Sequence, residues 1–376
     1  MSGCSATGMY ANYRGIEELE LVQTFGIDAH NGGVCLTTAS TASAGEKPPT
    51  VLSRSGSAIS KTAQALQDYS ANSRLFYAHA QNVVIGEDAA LQGVGDYLDY
   101  IIRSTQMRMG TSMYIVRGGT AKDLITGSTS DESYNITKIL ESLHRDVDTI
   151  GSSHVYSCRD VSRALAETGA ALVCAVQIAP TQDHVFPSSS GITALPCGYA
   201  IISDGKLTDY IEGDAALAVS LIMGEGGVGM LPLTDAGGAQ VAIEYELGKC
   251  EIKPVWGEGG SLTSIDITAD LTAAIAEVDS QRYNGSEEYS LQIERIIETR
   301  LHRAIENVTA LSGELQADFL KLGRAVKADS AKKYAALGGS FEKKIADIPF
   351  NIKVDATVER SYVLRGTVST DGSGGK

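Results

Sequence analysis

The residues able to do chemistry are few and dispersed. A cysteine stands at position 4, directly after Ser2-Gly3, and a soft polar stretch runs from Ser5 to Gly15. Cys35, Cys158, Cys174, Cys197 and Cys250 are the other thiols, and no two have a C-x-x-C or other zinc-like spacing. Several lie in apolar runs, where cysteine acts as a small hydrophobe. An odd set of five argues against a full disulfide framework and leaves one bridge open. The histidines at 30, 79, 144, 154, 184 and 302 make no H-x-x-x-H pair. His79, in "FYAHAQNVVIG", enters a strand between apolar neighbours and reads as a packed, locally bonded ring. "SSSG" at 188–191 lacks the G-x-S-x-G of a nucleophile elbow. "MGEGGVGM" has a helix before its glycines and "GMLPL" after. A phosphate loop needs the reverse order, with a helix N-terminus facing the anion. The residues therefore assign no catalytic, cofactor-binding or metal site.

Composition narrows the classes further. A net charge of −15 repels phosphate, which excludes a nucleic-acid partner for the chain as a whole. The one reversal runs from Gln316 to Lys353, with eight basic against four acidic side chains. Such a patch suits a solvated helical face, or an anionic surface. No stretch reaches the roughly 18 to 20 apolar residues of a membrane span. At 376 residues the chain is long enough for two or three domains.

The elements that would carry these residues follow from periodicity. "LELVQTFGIDAH" and "GVCLTTAS" read as strands joined by the turn at Asn31 to Gly33. "SGSAISKTAQALQDYS" reads as a helix with Ser57 as its N-cap. "NVVIG", "TSMYIVRGG" and "AALVCAVQIAP" read as buried strands. Between them lie helices over "EDAALQGVGDYLDYIIRS", weakened by two glycines, "AKDLITG", capped by Thr120 with Asp123, "ITKILESLHRDVDTI", and "SCRDVSRALAETG", stopped by Gly169. "GYAIISDGKLTDYI" is a hairpin with Asp204-Gly205 at its turn, Asp214 caps the helix "AALAVSLIM", and "AQVAIEYELGKCEIKPVW" is a second hairpin around Gly248-Lys249. "SIDITADLTAAIAEV" alternates with period two. A long helix spans about 287–315, with Leu291, Ile297, Leu301, Ile305, Val308 and Leu311 as its apolar stripe. Two short helices and the strand "FNIKVDATVERSYVL" end the chain. The expected fold class is mixed α/β (α+β): an elongated three-domain chain, each domain a mixed or antiparallel sheet packed with helices. Its divisions are a tether over 1–19, an α/β domain over 20–185, a strand-rich domain over 192–281 and a C-terminal domain over 286–368.

This order of motifs resembles the Ger(x)C family, the C subunits of bacterial spore germinant receptors. The resemblance runs through Gly26-Ile27-Asp28, Phe76-Tyr77-Ala78-His79, Val84-Ile85-Gly86-Glu87, Arg103 and Gly119. It continues through "GYAIISDGKLTDYIEGDAALAVSLIMG", "QADFLKLGRAVKADSAKKY" and the terminal strand, covering about 16–368. The order and spacing of these stretches carry it, more than any one of them. Ser5-Ala6 stand where members often have Trp-Asp after the N-terminal cysteine.

The resemblance implies a non-enzymatic lipoprotein without cofactors, on the outer face of the spore inner membrane. Its partners would be membrane-embedded A-type and B-type receptor subunits, with no nucleic acid and no small-molecule substrate. Ser2-Gly3-Cys4 fits the end of a lipoprotein signal, with Cys4 as the lipid attachment residue. Met1 is taken to stand in place of the apolar leader, so this chain is expected to be soluble with Cys4 a free thiol. The alternative is an exported solute-binding lipoprotein or hydrolase, using a pocket near His79 or Arg103 in the first domain.

Overall fold

The computed structural model describes residues 19–42, 50–70, 74–129, 135–146, 151–180, 191–278 and 286–359. Cys4 and the 5–15 stretch lie outside them. Among the described residues the chain builds two mixed sheets, one of nine strands and one of four.

The first sheet is built outward from parallel strands. β1 (Leu19–His30) pairs in parallel with β5 (Asn82–Gly86), which pairs with β6 (Ser112–Arg117), which pairs with β7 (Ala170–Pro180). The short β4 (Arg74–Phe76) also pairs with β1. β2 (Gly33–Ala42) folds back on β1 through Asn31 and Gly32, both at positive φ, as the sequence predicts for a two-residue turn. The core strands bury both faces, so their side chains divide by parity. Val83, Ile85, Met113 and Ile115 face one layer, with α2 (Glu87–Arg103) and α5 (Cys158–Thr168). Val84, Tyr114 and Val116 face the other, with α3 (Ala121–Gly127) and α4 (Ile136–Asp146). Helices on both sides of a mixed sheet match the expected class.

Several local expectations change. β3 (Thr50–Gly56), a polar edge strand beside β2, carries no clear alternation and escaped the periodicity reading. α1 (Ile59–Tyr69) starts from Ala58 without a side-chain cap, so Ser57 is not its N-cap. α2 breaks at Gly93, one of the two glycines in its middle. β8 (Ile192–Ser203) and β9 (Lys206–Ile211) form the expected hairpin, with Asp204 and Gly205 at positive φ. That hairpin pairs with β7 and continues the first sheet, although the sequence reading assigns it to the strand-rich domain over 192–281.

α6 (Gly213–Met223) leads to the second sheet. Its seven residues from Ala216 to Ile222 are all buried, which marks a helix enclosed on every side. Glu212, not Asp214, is its N-cap residue, and no side chain caps it. β10 (Val228–Thr234), β11 (Gln240–Trp256) and β12 (Leu262–Val278) then run antiparallel, and β13 (Phe350–Glu359) adds in parallel to β12. β11 is one strand. At Gly248-Lys249 the register slips in a bulge, which replaces the hairpin expected there. The alternation shifts parity across the bulge: Val241, Ile243 and Tyr245 lie in the core before it, and Cys250 and Ile252 pack against the core after it. A Cβ at Gly248 would sit 2.7 Å from the Asp270 carbonyl oxygen.

α7 (Glu287–Glu314) packs on this sheet through Ile293, Ile297, Leu301, Ile305 and Val308. Leu291, read from the sequence as part of that stripe, is 46% exposed. After α7, Asp318 is buried at 2% exposure and accepts the Leu322 and Gly323 amides at 2.7 and 2.8 Å, at the start of α8 (Leu322–Asp329). α9 (Ala331–Leu337) follows.

Burial pushes the Asp318 carboxyl up to about 6, and its two amide donors pull it back only in part. A raised acid contributes stability that is fully present below its unfolded value near 3.8 and is lost as pH rises through about 6. The stability of the native chain minus that of Asp318→Asn therefore grows as pH falls across this window. The gain is about 3 kcal/mol, read by urea unfolding at each pH.

Candidate functional site

Open α/β sheets take ligands at the carboxyl ends of their parallel strands. Here those ends carry Gly26-Ile27-Asp28, Gly86-Glu87 and Gly118-Gly119. The crevice is closed by the protein's own groups. Asp28, 5% exposed, accepts the Ala121 amide at 2.7 Å and the Lys122 amide at 2.9 Å. It stands on the first amides of α3, where a bound anion could otherwise sit. Thr120 accepts the Asp123 amide at 2.9 Å, as its spacing predicts. The Glu87 amide donates to the Gly119 carbonyl at 3.1 Å. A Cβ at Gly86 would lie 2.1 Å from the Asp28 carboxylate, so only glycine fits. Burial raises the Asp28 carboxyl, opposed by its two amide donors.

The neighbouring charges are committed too. Tyr210 donates to the Glu87 carboxylate at 2.7 Å, and Arg117 stacks over the Tyr210 ring at 4.9 Å while pairing with Glu212. Sequence reading missed these ties because the partners lie far apart along the chain and have no periodic signature.

The other candidates resolve individually. His79 is exposed and tilts against the Phe76 ring at 5.7 Å. Arg103 holds Asp99 one turn earlier at 2.8 Å, and both are solvated. Beside it lies a polar hollow of about 780 Å³ between α1 and α2, walled by Gln64, Arg74, Tyr77 and Tyr100; His79 is not part of it. The glycine-rich "MGEGGVGM" is the helix-to-strand connection that its order predicts, with Gly224 ending α6 in the left-handed region. Among the described residues no three His, Cys, Asp or Glu side chains are grouped to hold a metal. Cys35, Cys158, Cys174, Cys197 and Cys250 are all unbridged. Burial pushes the Cys158 thiol to about 12 and the Cys250 thiol to about 11, and Cys174 is raised as well. The basic stretch is partly used internally. Lys333 lies over the Trp256 ring at 5.0 Å, and the Trp256 indole donates to Asp329 at 2.8 Å. Arg324, Lys327, Lys332 and Lys343 remain exposed.

A groove of about 1020 Å³ follows α7. Leu291, Ile296, Arg295 and Arg303 line it, together with the Asp214–Arg300 pair, which is joined by two bonds of 2.6 Å. Arg300 also donates to the Pro232 carbonyl, tying α6, α7 and β10 together. The groove mixes apolar and charged surface in the manner of a protein-contact face.

Asp28→Ala is expected to cost about 1–3 kcal/mol in chemical unfolding, because it strands two helix amides. Gly86→Ala is expected to be destabilising alone and markedly less so beside Asp28→Ala, which a double-mutant cycle reads as coupling. Thiol reagents on the native chain should spare Cys158 and Cys174 until it unfolds, as read by peptide mass spectrometry.

Residues 12–178 match the family model described as spore germination protein N-terminal domain, and residues 197–362 match that described as spore germination B3/GerAC like, C-terminal. No curated protein sequence matches the chain. Among solved structures, the crystal structure of the GerBC protein aligns with a TM-score of 0.53 at 19% identity, covering 89% of this chain and 96% of that one. At that identity the likeness is one of fold. With both family domains present in order, the chain belongs to the Ger(x)C family of spore germinant receptor C subunits.

Proposed function

We propose that the protein is a non-enzymatic lipoprotein subunit that acts in nutrient-triggered germination through contacts with membrane-embedded A-type and B-type subunits. The observation that carries this reading is the fate of the family motifs. Asp28, Gly86 and Glu87 are spent on internal ties, so the motif at the sheet's usual ligand edge is a structural lock. The α7 groove supports the contact role, since its apolar side chains are framed by arginines and carboxylates that a protein partner can pair.

Membrane residence is assigned to Cys4. Ser2-Gly3-Cys4 has the small residues that precede a lipid-modified cysteine. Acyl chains there, together with membrane-embedded partners, would hold the chain at the outer face of the spore inner membrane. Residues 5–15 would serve as the tether.

The test uses the full gene product expressed in a spore-forming host. Detergent-phase partitioning and fatty-acid labelling are expected for the native chain and absent in Cys4→Ala. Partner subunits are expected to co-purify with the native chain. Unlabelled native protein in the aqueous phase would remove the lipoprotein assignment.

A further inference from the structure

The opposite end of the same parallel strands is built differently. Asn82 opens β5 and lies in register between Thr24 of β1 and Ser112 of β6. Alternation puts it on the same face as Val84, the face that α4 covers. Its neighbours there find partners on α4: the Thr24 and Thr137 hydroxyls bond at 2.9 Å, and the Ser112 hydroxyl meets His144 Nδ1 at 3.4 Å. Asn82 is only 2% exposed, and its side-chain Nδ2 has no hydrogen-bond partner. A buried amide donor is rarely left so in a folded protein.

A recess of about 750 Å³ adjoins it, lined by Ala80, Asn82, Met109 and Ser112, with Arg108, Arg159 and His144 around it and Glu141 on the same rim. Neither the Arg108 nor the Arg159 side chain makes an ion pair or hydrogen bond among the described residues. In a chain of net charge −15, two unpaired guanidinium groups beside one unsatisfied buried donor form a local surplus of donors. The walls are pinned. The Thr111 hydroxyl donates to the Ala80 and Arg108 carbonyls at 3.1 and 2.7 Å. The Arg159 amide donates to Met109 at 2.9 Å, and the Ser112 amide to Gln81 at 2.8 Å.

We propose that this recess binds a small organic carboxylate. The arginine forks match a planar carboxylate, the Asn82 amide supplies a further donor, and Ala80 and Met109 offer contact to an apolar body. Its size suits a metabolite-sized ligand. Phosphate shares the donor chemistry but lacks the apolar body. Such a site goes beyond the receptor-subunit reading and amends the expectation that no small molecule is bound.

The test is calorimetric titration of the full chain with succinate, benzoate and inorganic phosphate at millimolar concentration. Saturable one-to-one binding of a carboxylate is expected. Arg108→Ala/Arg159→Ala should weaken it by about tenfold or more, and Asn82→Leu should abolish it while keeping the melting temperature. Arg324→Ala, on α8, should leave it unchanged. Absence of saturable carboxylate binding, binding retained in the double arginine variant, or binding of phosphate alone would each overturn the proposal. None of these outcomes bears on lipidation at Cys4, which is read separately.

Discussion

The fold depends on one helix having no solvent face. α6 is buried on all sides from Ala216 to Ile222, with Ser220 its only polar side chain there, and it can be stable only if both sheets close around it. Its ends allow this. Gly213 and Gly224 adopt positive φ, so the chain enters and leaves sharply. Two side-chain ties fix its rotation, and a backbone bond closes its end. Ser220 bonds the buried Tyr199 hydroxyl of β8 at 2.7 Å, Asp214 grips Arg300 of α7, and the Glu225 amide just past its end donates to the Ser220 carbonyl at 2.8 Å. One continuous core therefore runs from β1 to β13.

That constraint explains how the chain uses its polar groups. A sheet with helices on both faces offers polar chemistry chiefly at its strand ends. At the carboxyl ends, Asp28 and Glu87 are consumed in joining β1, β5, α3 and β9. At the amino ends, Asn82, Arg108 and Arg159 keep donors unspent. The asymmetry has a packing origin. α3 begins at Asp28 and gives it two amides, whereas α4 gives its polar contacts to Thr24 and Ser112 on either side of Asn82.

The second sheet shows the same economy at its borders. The β13 amides of Ala356 and Val358 would face outward from the last strand, and Glu298 and Glu294 of α7 accept them at 3.3 and 2.8 Å. The opposite border strand, β10, carries Pro232, which has no amide to offer a further strand. Both borders are thus poor templates for pairing with another chain.

Much of this was legible in the residues alone. Buried apolar runs gave β5 and β7, a period-two run gave β12, turn chemistry gave the Asn31-Gly32 and Asp204-Gly205 hairpins, and glycines marked the ends of α5 and α6. These signals are local, since each depends on a backbone preference or an alternation within a few residues. Tertiary structure alone decided the rest. The polar strand β3, the bulge at Gly248-Lys249 and the joining of β8 to β7 depend on partners supplied elsewhere. Asp28 meets its amides 93 and 94 residues away, and Asp214 meets Arg300 at a separation of 86. No local pattern encodes such a meeting, because the sequence sets which face a side chain takes and only the packed layers set what stands opposite.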